Sequence, residues 1–196
     1  MIPAVYVLVF DGFADWEPAF AMAELRRSGG LEVTTLGFSE APVRSMGGLP
    51  VVPDRPLTGL DPATVRLLIL PGGDLWEGAH PRAELGPTLK ALRGAGVPIA
   101  AICGATLALA HAGLLDDHAH TSNDLPYLER MVPEYRGAAL YRDALAVRDR
   151  GLITASGLGP VEFAREIFEE LAVFSDTDRP VWFHLFKHGR FPEPAA

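Results

Sequence analysis

Four continuous runs of apolar residues recur in the first half of the chain, without the alternation of apolar and polar positions that marks a half-exposed strand. They occupy residues 5–10, 32–37, 66–70 and 98–102. Continuous apolar character over this length is typical of parallel strands that helices cover on both faces. We therefore predict that these four segments are buried strands of one sheet.

Helical patterns separate the predicted strands. Asp15 is a candidate N-cap for a helix that ends at residues 28–30, where Ser-Gly-Gly is a stop signal. A second helix is expected over residues 85–93 and a third over residues 104–112. The alternation predicts an α/β fold in one domain spanning residues 1–196: a doubly wound, mostly parallel, flavodoxin-like sheet with helices on both faces. Such sheets bind ligands at the carboxyl ends of their strands.

The remaining segments are less regular. Residues 44–54 contain a glycine pair between short β-like pieces, which predicts a hairpin on one edge of the sheet. Residues 138–154 predict a second hairpin. An amphipathic helix is expected over residues 160–174, and a last helix, rich in aromatic residues, over about residues 180–187.

Composition and charge narrow the possible partners. Hydrophobic residues make up 48% of the 196 positions and charged residues 21%, an ordinary soluble composition. The net charge of −8, without any basic run, argues against nucleic acid as a partner. The single cysteine gives no internal disulfide, and the apolar N-terminal run is shorter than the ~20 residues that span a membrane. We expect a cytoplasmic protein that does not insert into a membrane.

One segment combines a buried strand, a single junction residue and a helix start. Cys103 is the junction residue, Gly104 follows it, and Ala101 and Ala105 lie two positions to either side. A tight strand-to-helix turn forces its central residue into a strained conformation and requires small flanking residues. The pattern is that of a nucleophile elbow, with alanines in place of the usual glycines.

The same placement favours reactivity of the thiol. At a helix N-terminus, free amide donors and the positive end of the dipole stabilise a thiolate. The amide of Gly104 is a candidate oxyanion donor, and Gly73, in the glycine pair after the third strand, is a second. The alternative is that Cys103 is a small buried hydrophobic residue, because free cysteine is among the most buried residue types.

These residues and three further motifs resemble the ThiJ/PfpI superfamily, which has a class I glutamine amidotransferase-like fold. Residues 10–17 resemble its first strand with the acidic residue, and residues 68–73 resemble its oxyanion loop. Residues 101–105 resemble its elbow. Residues 154–157, followed by 162–164, resemble its last strand and helix. The resemblance covers nearly the whole chain and is more specific for fold than for activity.

The resemblance implies that Glu17 lies against Cys103, protonated, and donates a hydrogen bond to the sulfur. The position of Glu17 just after the first strand is consistent with this, because that strand end shares an edge of the sheet with Cys103. A protonated carboxyl would stabilise the thiolate, whereas an ionised one would raise the thiol pKa. The alternative is that Glu17 is a first-turn residue that the helix dipole favours.

The usual histidine bases of the family are missing. Gly104 and Asn123 occupy the positions at which other members carry a histidine. His120 is a substitute candidate for a catalytic base, although alternation along an extended segment directs it opposite to Asn123. His184 and His188 have the i, i+4 spacing of metal ligands but lack a third ligand in the sequence pattern. We expect no metal and no cofactor.

Two functions follow from these residues. The first is a cysteine-dependent enzyme, either a hydrolase of amidase or peptidase type or a glyoxalase- or deglycase-like enzyme, acting on a small-molecule substrate. Cys103 would be the nucleophile, Glu17 would tune or move the proton, and Gly73 and Gly104 would form the oxyanion hole. The alternative is a non-catalytic redox sensor of a stress response, in which an oxidant converts Cys103 to a sulfinate. We expect a homodimer, with the aromatic C-terminal helix at its interface.

Overall fold

A computed structural model describes residues 3–78 and 82–191 of the chain. These residues contain nine short strands. They are β1 (Ala4–Leu8), β2 (Val33–Gly37), β3 (Val43–Arg44), β4 (Pro50–Val51), β5 (Arg55–Pro56), β6 (Val65–Leu70), β7 (Ile99–Ile102), β8 (Ala146–Asp149) and β9 (Leu152–Ala155). The four predicted strands are thus confirmed as β1, β2, β6 and β7, although the first three residues of β2 are only partly buried.

Seven of the strands form one sheet in the order β5-β2-β1-β6-β7-β9-β8. All neighbours are parallel except β8, which pairs with β9 in the antiparallel sense. The fold is α/β and flavodoxin-like, as the sequence predicts. The carboxyl ends of β1, β6, β7 and β9 therefore lie side by side at one edge of the sheet.

The described residues contain six α-helices, of which the last two follow the final strand. They are α1 (Ala19–Arg27), α2 (Arg82–Gly94), α3 (Thr106–His111), α4 (Leu125–Met131), α5 (Pro160–Leu171) and α6 (Asp178–His188). The prediction that Asp15 caps α1 is wrong. Pro18 occupies the N-cap position, and Asp15 instead accepts a hydrogen bond from the Ser45 hydroxyl at 2.5 Å. The helix expected from residue 104 begins as a 3₁₀ turn, Cys103–Ala105, before α3.

The helices cover both faces of the sheet, and β6 shows why its sequence is apolar throughout. Leu68 and Leu70 pack into the cluster that contains α2 and α3, whereas Leu67 and Ile69 pack into the cluster that contains α1 and α5. All four side chains are fully buried, and each such burial contributes about 1.5–3 kcal/mol to folding. A parallel strand covered on both sides has no solvent face that would require polar residues.

The two hairpins differ in their relation to the sheet. β8 and β9 form the predicted hairpin at one edge, with Arg150 and Gly151 both at positive φ in the turn. β3 and β4 also form a hairpin, but it is a separate two-stranded sheet, so its expected place on the sheet edge is wrong. On that side of the sheet the edge strand is the short β5, which pairs with β2.

The aromatic C-terminal helix α6 packs against the body of the protein. The Trp182 indole stacks edge-on against Phe168 of α5, and Phe186 contacts Phe20 of α1. Among the helices of the described residues, none has the length and apolar character needed to cross a membrane.

Candidate active site

Cys103 occupies a strained turn at the end of β7. Its φ is +59°, in the left-handed region that a side chain with a Cβ adopts at a cost. The Thr106 hydroxyl donates to the carbonyl oxygen of Cys103 at 2.7 Å and also lies 2.7 Å from the Ser122 hydroxyl. These bonds hold the turn, and the half-buried thiol faces the carboxyl edge of the sheet.

The Glu17 carboxyl lies beside this thiol. Glu17 precedes α1, is only 2% exposed and is within hydrogen-bonding contact of the Cys103 side chain. Its Oε2 accepts a hydrogen bond from the amide of Gly72 at 2.6 Å. Burial raises the pKa of Glu17, although the Gly72 bond opposes that rise. The structure thus brings the first strand end, the loop after β6 and the elbow together.

Two glycines make this close approach possible. A Cβ built on Gly72 would lie 2.7 Å from Oε2 of Glu17 and 2.8 Å from Cβ of Cys103. A Cβ built on Gly157, in the loop after β9, would lie 2.9 Å from the sulfur of Cys103 and 3.3 Å from Oε1 of Glu17. Both glycines are therefore required by packing against the thiol and the carboxyl.

Asn123, in the segment between α3 and α4, contacts the Cys103 sulfur. Its Nδ2 lies 3.5 Å from the Cys103 sulfur, and its Oδ1 accepts a hydrogen bond from the amide of Gly157 at 3.1 Å. By its resemblance to the ThiJ/PfpI superfamily, the chain is expected to carry Asn123 where other members have a histidine. The structure places the side-chain amide of Asn123 in contact with the thiol.

The thiol and carboxyl titrate as a coupled pair. Burial and the charge of an ionised Glu17 raise the pKa of Cys103, whereas hydrogen bonds from Asn123 and the Gly104 amide lower it. Since the pKa of Glu17 is raised as well, the pair retains a proton to higher pH than either group would alone. When Glu17 holds that proton, its charge no longer raises the thiol pKa, and burial remains as the main cause of the rise.

His120 is placed away from this pair. The ring is fully buried, with Nε2 2.6 Å from the Tyr135 hydroxyl and Nδ1 2.7 Å from the His118 carbonyl oxygen. Both nitrogens are therefore occupied by partners other than Cys103. Burial lowers the pKa of His120. The alternation that separates the side chains of His120 and Asn123 along this segment holds in the structure.

The two predicted oxyanion donors differ in their surroundings. The Gly104 amide donates to the Cys103 sulfur, so it already faces the reacting atom. Gly73 has a φ of +151° and packs against Phe10 and the carbonyl of Gly12. The amide that contacts the Glu17–Cys103 pair from this loop is that of Gly72. A role for Gly73 stays a prediction.

One wall of the site combines residues that the sequence singles out only in part. The Trp76 indole donates to the carbonyl of Pro71 at 2.8 Å and packs against Gly104. The Tyr127 hydroxyl donates to Glu77 at 2.9 Å. Tyr127 and Gly157 are absent from the sequence-based set of site residues. Tyr127 carries no motif, whereas Gly157 lies at a strand end that the sheet rule singles out.

A metal site is not formed by the acidic, histidine and cysteine side chains of residues 3–78 and 82–191, since no three of them cluster as ligands. The rings of His184 and His188 lie 4.7 Å apart on α6. They form a pair without a third ligand in the described part of the chain.

Similarity to known proteins identifies the family of the chain. The DJ-1/PfpI family description matches residues 3–170. The chain is 40% identical over 193 residues to "Uncharacterized protease YoaZ" of Bacillus subtilis (strain 168), covering 93% of this chain and 90% of that protein. It is 34% identical over 148 residues to "Glutathione-independent glyoxalase DJR-1.2" of Caenorhabditis elegans, covering 73% and 75%. The crystal structure of the DJ-1 superfamily protein Atu0886 from Agrobacterium tumefaciens superposes with a TM-score of 0.87 at 38% identity, covering 96% of this chain and 100% of that one.

Proposed function

This chain belongs to the DJ-1/PfpI family, and on that premise we propose that it is a cysteine-dependent enzyme that converts small 2-oxoaldehydes to 2-hydroxy acids. The observation that carries the proposal is the contact between the Cys103 thiol and the buried Glu17 carboxyl. The reaction requires one nucleophile and one group that moves a proton between adjacent carbons, and this pair supplies both. A relative that is 34% identical is named a glyoxalase.

The steps balance without an external oxidant. The Cys103 thiolate adds to the aldehyde carbon, and the new alkoxide takes the proton from Glu17 to give a hemithioacetal. The Glu17 carboxylate then removes the proton from that carbon and returns it to the neighbouring carbon through an enediol, while the hydroxyl proton of the hemithioacetal passes to the neighbouring oxygen. The first carbon is thereby oxidised to a thioester and the second reduced to an alcohol. Water cleaves the carbon–sulfur bond, releasing the 2-hydroxy acid and restoring the proton to the pair.

The Gly72 amide determines which oxygen of Glu17 takes part. A backbone N–H only donates, so Oε2, which lies 2.6 Å from the Gly72 nitrogen, is the accepting oxygen. A proton on Glu17 then belongs on Oε1, the oxygen that does not accept from Gly72. This is the form that donates to the thiolate before the addition and to the alkoxide after it.

An amidase or peptidase activity has weaker support. Expulsion of an amine and activation of water in acyl transfer usually rely on a histidine next to the cysteine. The two usual positions hold Gly104 and Asn123, and the ring nitrogens of His120 contact Tyr135 and His118. In the reaction proposed above the Glu17 carboxylate is the base, and the group that water finally displaces is a thiolate, which leaves more readily than an amine.

The decisive experiment measures lactate formed from 2-oxopropanal by the reduced protein without added thiol. We expect turnover by the wild type, none by Cys103→Ala, and a large loss of kcat in Glu17→Gln. The exposed Glu40→Gln is the matched control, because it makes the same chemical change on the surface and should retain wild-type turnover. If the wild type is inactive, or if Glu17→Gln turns over as fast as Glu40→Gln, the proposal is wrong.

A redox-sensing role is the second candidate, and the donors around the sulfur favour it. The Gly104 amide and Asn123 Nδ2 both contact the sulfur and would hydrogen-bond the oxygens of a sulfinate, as would a protonated Glu17. Two equivalents of hydrogen peroxide would supply the two oxygen atoms and leave as water. The test is mass spectrometry after dilute peroxide: selective addition of two oxygens at Cys103 supports the role, and oxidation no faster than that of free cysteine contradicts it.

The homodimer and the cytoplasmic location remain predictions. Val181 and Phe186 on α6 are exposed, so this helix offers an apolar surface to a second copy. Light scattering should give twice the mass of the chain, and Val181→Asp should shift it to the monomer. The reducing cytoplasm would keep the thiol of Cys103 available for either chemistry.

A further inference from the structure

The side-chain amide of Asn123 has a fixed polarity. Its two ends contact different partners: Oδ1 is 3.1 Å from the Gly157 nitrogen, and Nδ2 is 3.5 Å from the Cys103 sulfur. The backbone N–H of Gly157 can only donate a hydrogen bond, so its partner on Asn123 must be the oxygen Oδ1. The nitrogen end must therefore face the sulfur.

The segment that carries Asn123 is held on both sides. Before it, the Ser122 hydroxyl bonds to Thr106, which in turn donates to the Cys103 carbonyl. After it, Asp124 caps α4 by accepting from the Tyr127 amide at 2.5 Å. Asn123 is thus tied to the elbow itself, while its own side chain is exposed at the mouth of the site. A substrate can reach it without rearrangement of the chain.

The nitrogen end carries two hydrogens. One is directed at the Cys103 sulfur, and the second is available for an oxygen on the carbon that becomes bonded to that sulfur. We propose that Asn123 is a catalytic hydrogen-bond donor that stabilises negative charge first on the Cys103 sulfur and then on the oxygen of the adduct. The role in the adduct rests on the oxoaldehyde reaction proposed above, whereas the role toward the sulfur does not.

This assignment also limits the chemistry of the site. A histidine at position 123 would take up a proton and activate water, but an amide nitrogen has no basic lone pair and does neither. With its oxygen bound to Gly157, Asn123 presents only donors to the reacting atoms. The residue therefore favours addition and isomerisation over the hydrolysis of peptides and amides.

The first test is the rate of Cys103 alkylation by iodoacetamide as a function of pH in Asn123→Ala and Asn123→Asp. Loss of the donor in Asn123→Ala should raise the thiol pKa by about one unit and slow alkylation at neutral pH about tenfold. In Asn123→Asp, Gly157 still binds one oxygen and the other places a charge beside the sulfur, so the effect should be larger. Asp124→Asn is the control, because it changes the charge of the neighbouring residue while it keeps the cap.

Thermal unfolding of each variant shows whether it is folded. Because Asn123 is exposed, we expect both variants to fold, so that an effect on the thiol reports the lost donor. A thiol that titrates as in the wild type in both Asn123 variants would overturn the role toward the sulfur.

The role in the adduct is tested by kcat for 2-oxopropanal at a pH at which all variants have the same thiolate fraction. We expect a further loss of about tenfold in Asn123→Ala, and an unchanged kcat overturns this role. A wild type without turnover refutes the proposed function while the alkylation data still decide on Asn123.

Discussion

Gly157 stands so close to Cys103 that a Cβ on the glycine would lie 2.9 Å from the sulfur. The backbone amide of Gly157 also orients Asn123 by donating to its Oδ1. A Cβ on Gly157 would in addition lie 3.3 Å from Oε1 of Glu17. The loop after β9 therefore determines how the thiol, the carboxyl and the amide meet, although none of its side chains takes part in the chemistry.

Gly157→Ala should displace the thiol from its two partners. The φ of Gly157 is compatible with alanine, so the effect arises from the added methyl group rather than from the backbone. We expect a loss of about 1–3 kcal/mol in unfolding free energy from overpacking and a fall of about 100-fold in turnover, because the reacting atoms are misplaced. Urea unfolding and 2-oxopropanal kinetics measure the two effects.

The control for that substitution is Gly94→Ala in α2. A Cβ there meets no atom within 4 Å, the next residue is not a proline, and alanine is a better helix former than glycine by about 0.5–1 kcal/mol. Gly94→Ala should therefore leave turnover unchanged and stability equal or higher. Equal turnover of 2-oxopropanal in the two variants would mean that the close contact between Gly157 and the thiol does not affect catalysis.

Glu17 should make the stability of the protein depend on pH in a defined direction. Because burial raises its pKa above the ordinary 4.5, the folded state binds the proton more tightly than the unfolded chain does. The stability of the wild type relative to Glu17→Gln is then greatest below pH 4.5 and is lost as the pH rises through the raised pKa. The thiol of Cys103 has an ordinary pKa of 9.0, so its titration changes the stability only at higher pH.

Denaturant titrations at a series of pH values measure this difference in unfolding free energy. Glu40→Gln, on the surface, should give a curve parallel to that of the wild type. If Glu17→Gln also runs parallel to the wild type, the carboxyl is ionised with an ordinary pKa and the proposed proton relay loses its basis.

His120 should matter for stability and not for the thiol. The His120→Ala variant loses the hydrogen bonds to Tyr135 and His118 and leaves a cavity, which together cost on the order of 2–3 kcal/mol. Because burial lowers the His120 pKa, wild-type stability is complete above its ordinary value of 6.5 and is lost as the pH falls toward the lowered pKa. The His120→Ala variant lacks this acid-dependent loss.

Alkylation of Cys103 separates this structural role from the role of a base. We expect the rates in His120→Ala and in the milder Tyr135→Phe to stay within about twofold of the wild type across the pH range, since neither ring contacts the sulfur. A rate profile that loses an inflection in His120→Ala alone would restore His120 as the base.

The sequence alone predicts the parts of this molecule that local patterns determine. Buried parallel strands are apolar along their length, so β1, β6 and β7 are found to within about two residues. β2, which contains two threonines and is partly exposed, is found with the same accuracy. The elbow is recognisable because the junction at Cys103 lies between a strand and a helix and is flanked by small residues. Glu17 and Asn123 come from the resemblance to a family, since their spacing from Cys103 carries no signal of its own.

The parts that depend on tertiary contacts are not predictable in this way. Asp15 has the character of an N-cap, but its carboxyl is drawn to Ser45 in the hairpin, a partner 30 residues away. Gly157 is one of 20 glycines in the chain, and although it lies at a strand end, only the approach of Cys103 from another strand shows that a side chain would not fit there. The titration of Glu17 and Cys103 depends on their mutual contact, which no local pattern reports.

The strain at Cys103 gives the last prediction. A non-glycine residue at φ +59° pays about 1–2 kcal/mol relative to the right-handed region, and glycine does not. Glycine costs more entropy on folding, by about 0.5–1 kcal/mol, so Cys103→Gly should be more stable than Cys103→Ala by about 0.5–1 kcal/mol. Ala172 at the end of α5 has a φ of +54° and no role in the site, so Ala172→Gly serves as the reference. Urea unfolding of the three variants and the wild type gives the comparison: a similar gain at both positions shows that the elbow holds ordinary backbone strain that function retains. A Cys103→Gly variant that is less stable than Cys103→Ala would show that the surrounding bonds from Thr106 and Ser122 already favour the turn, and that no strain is stored there.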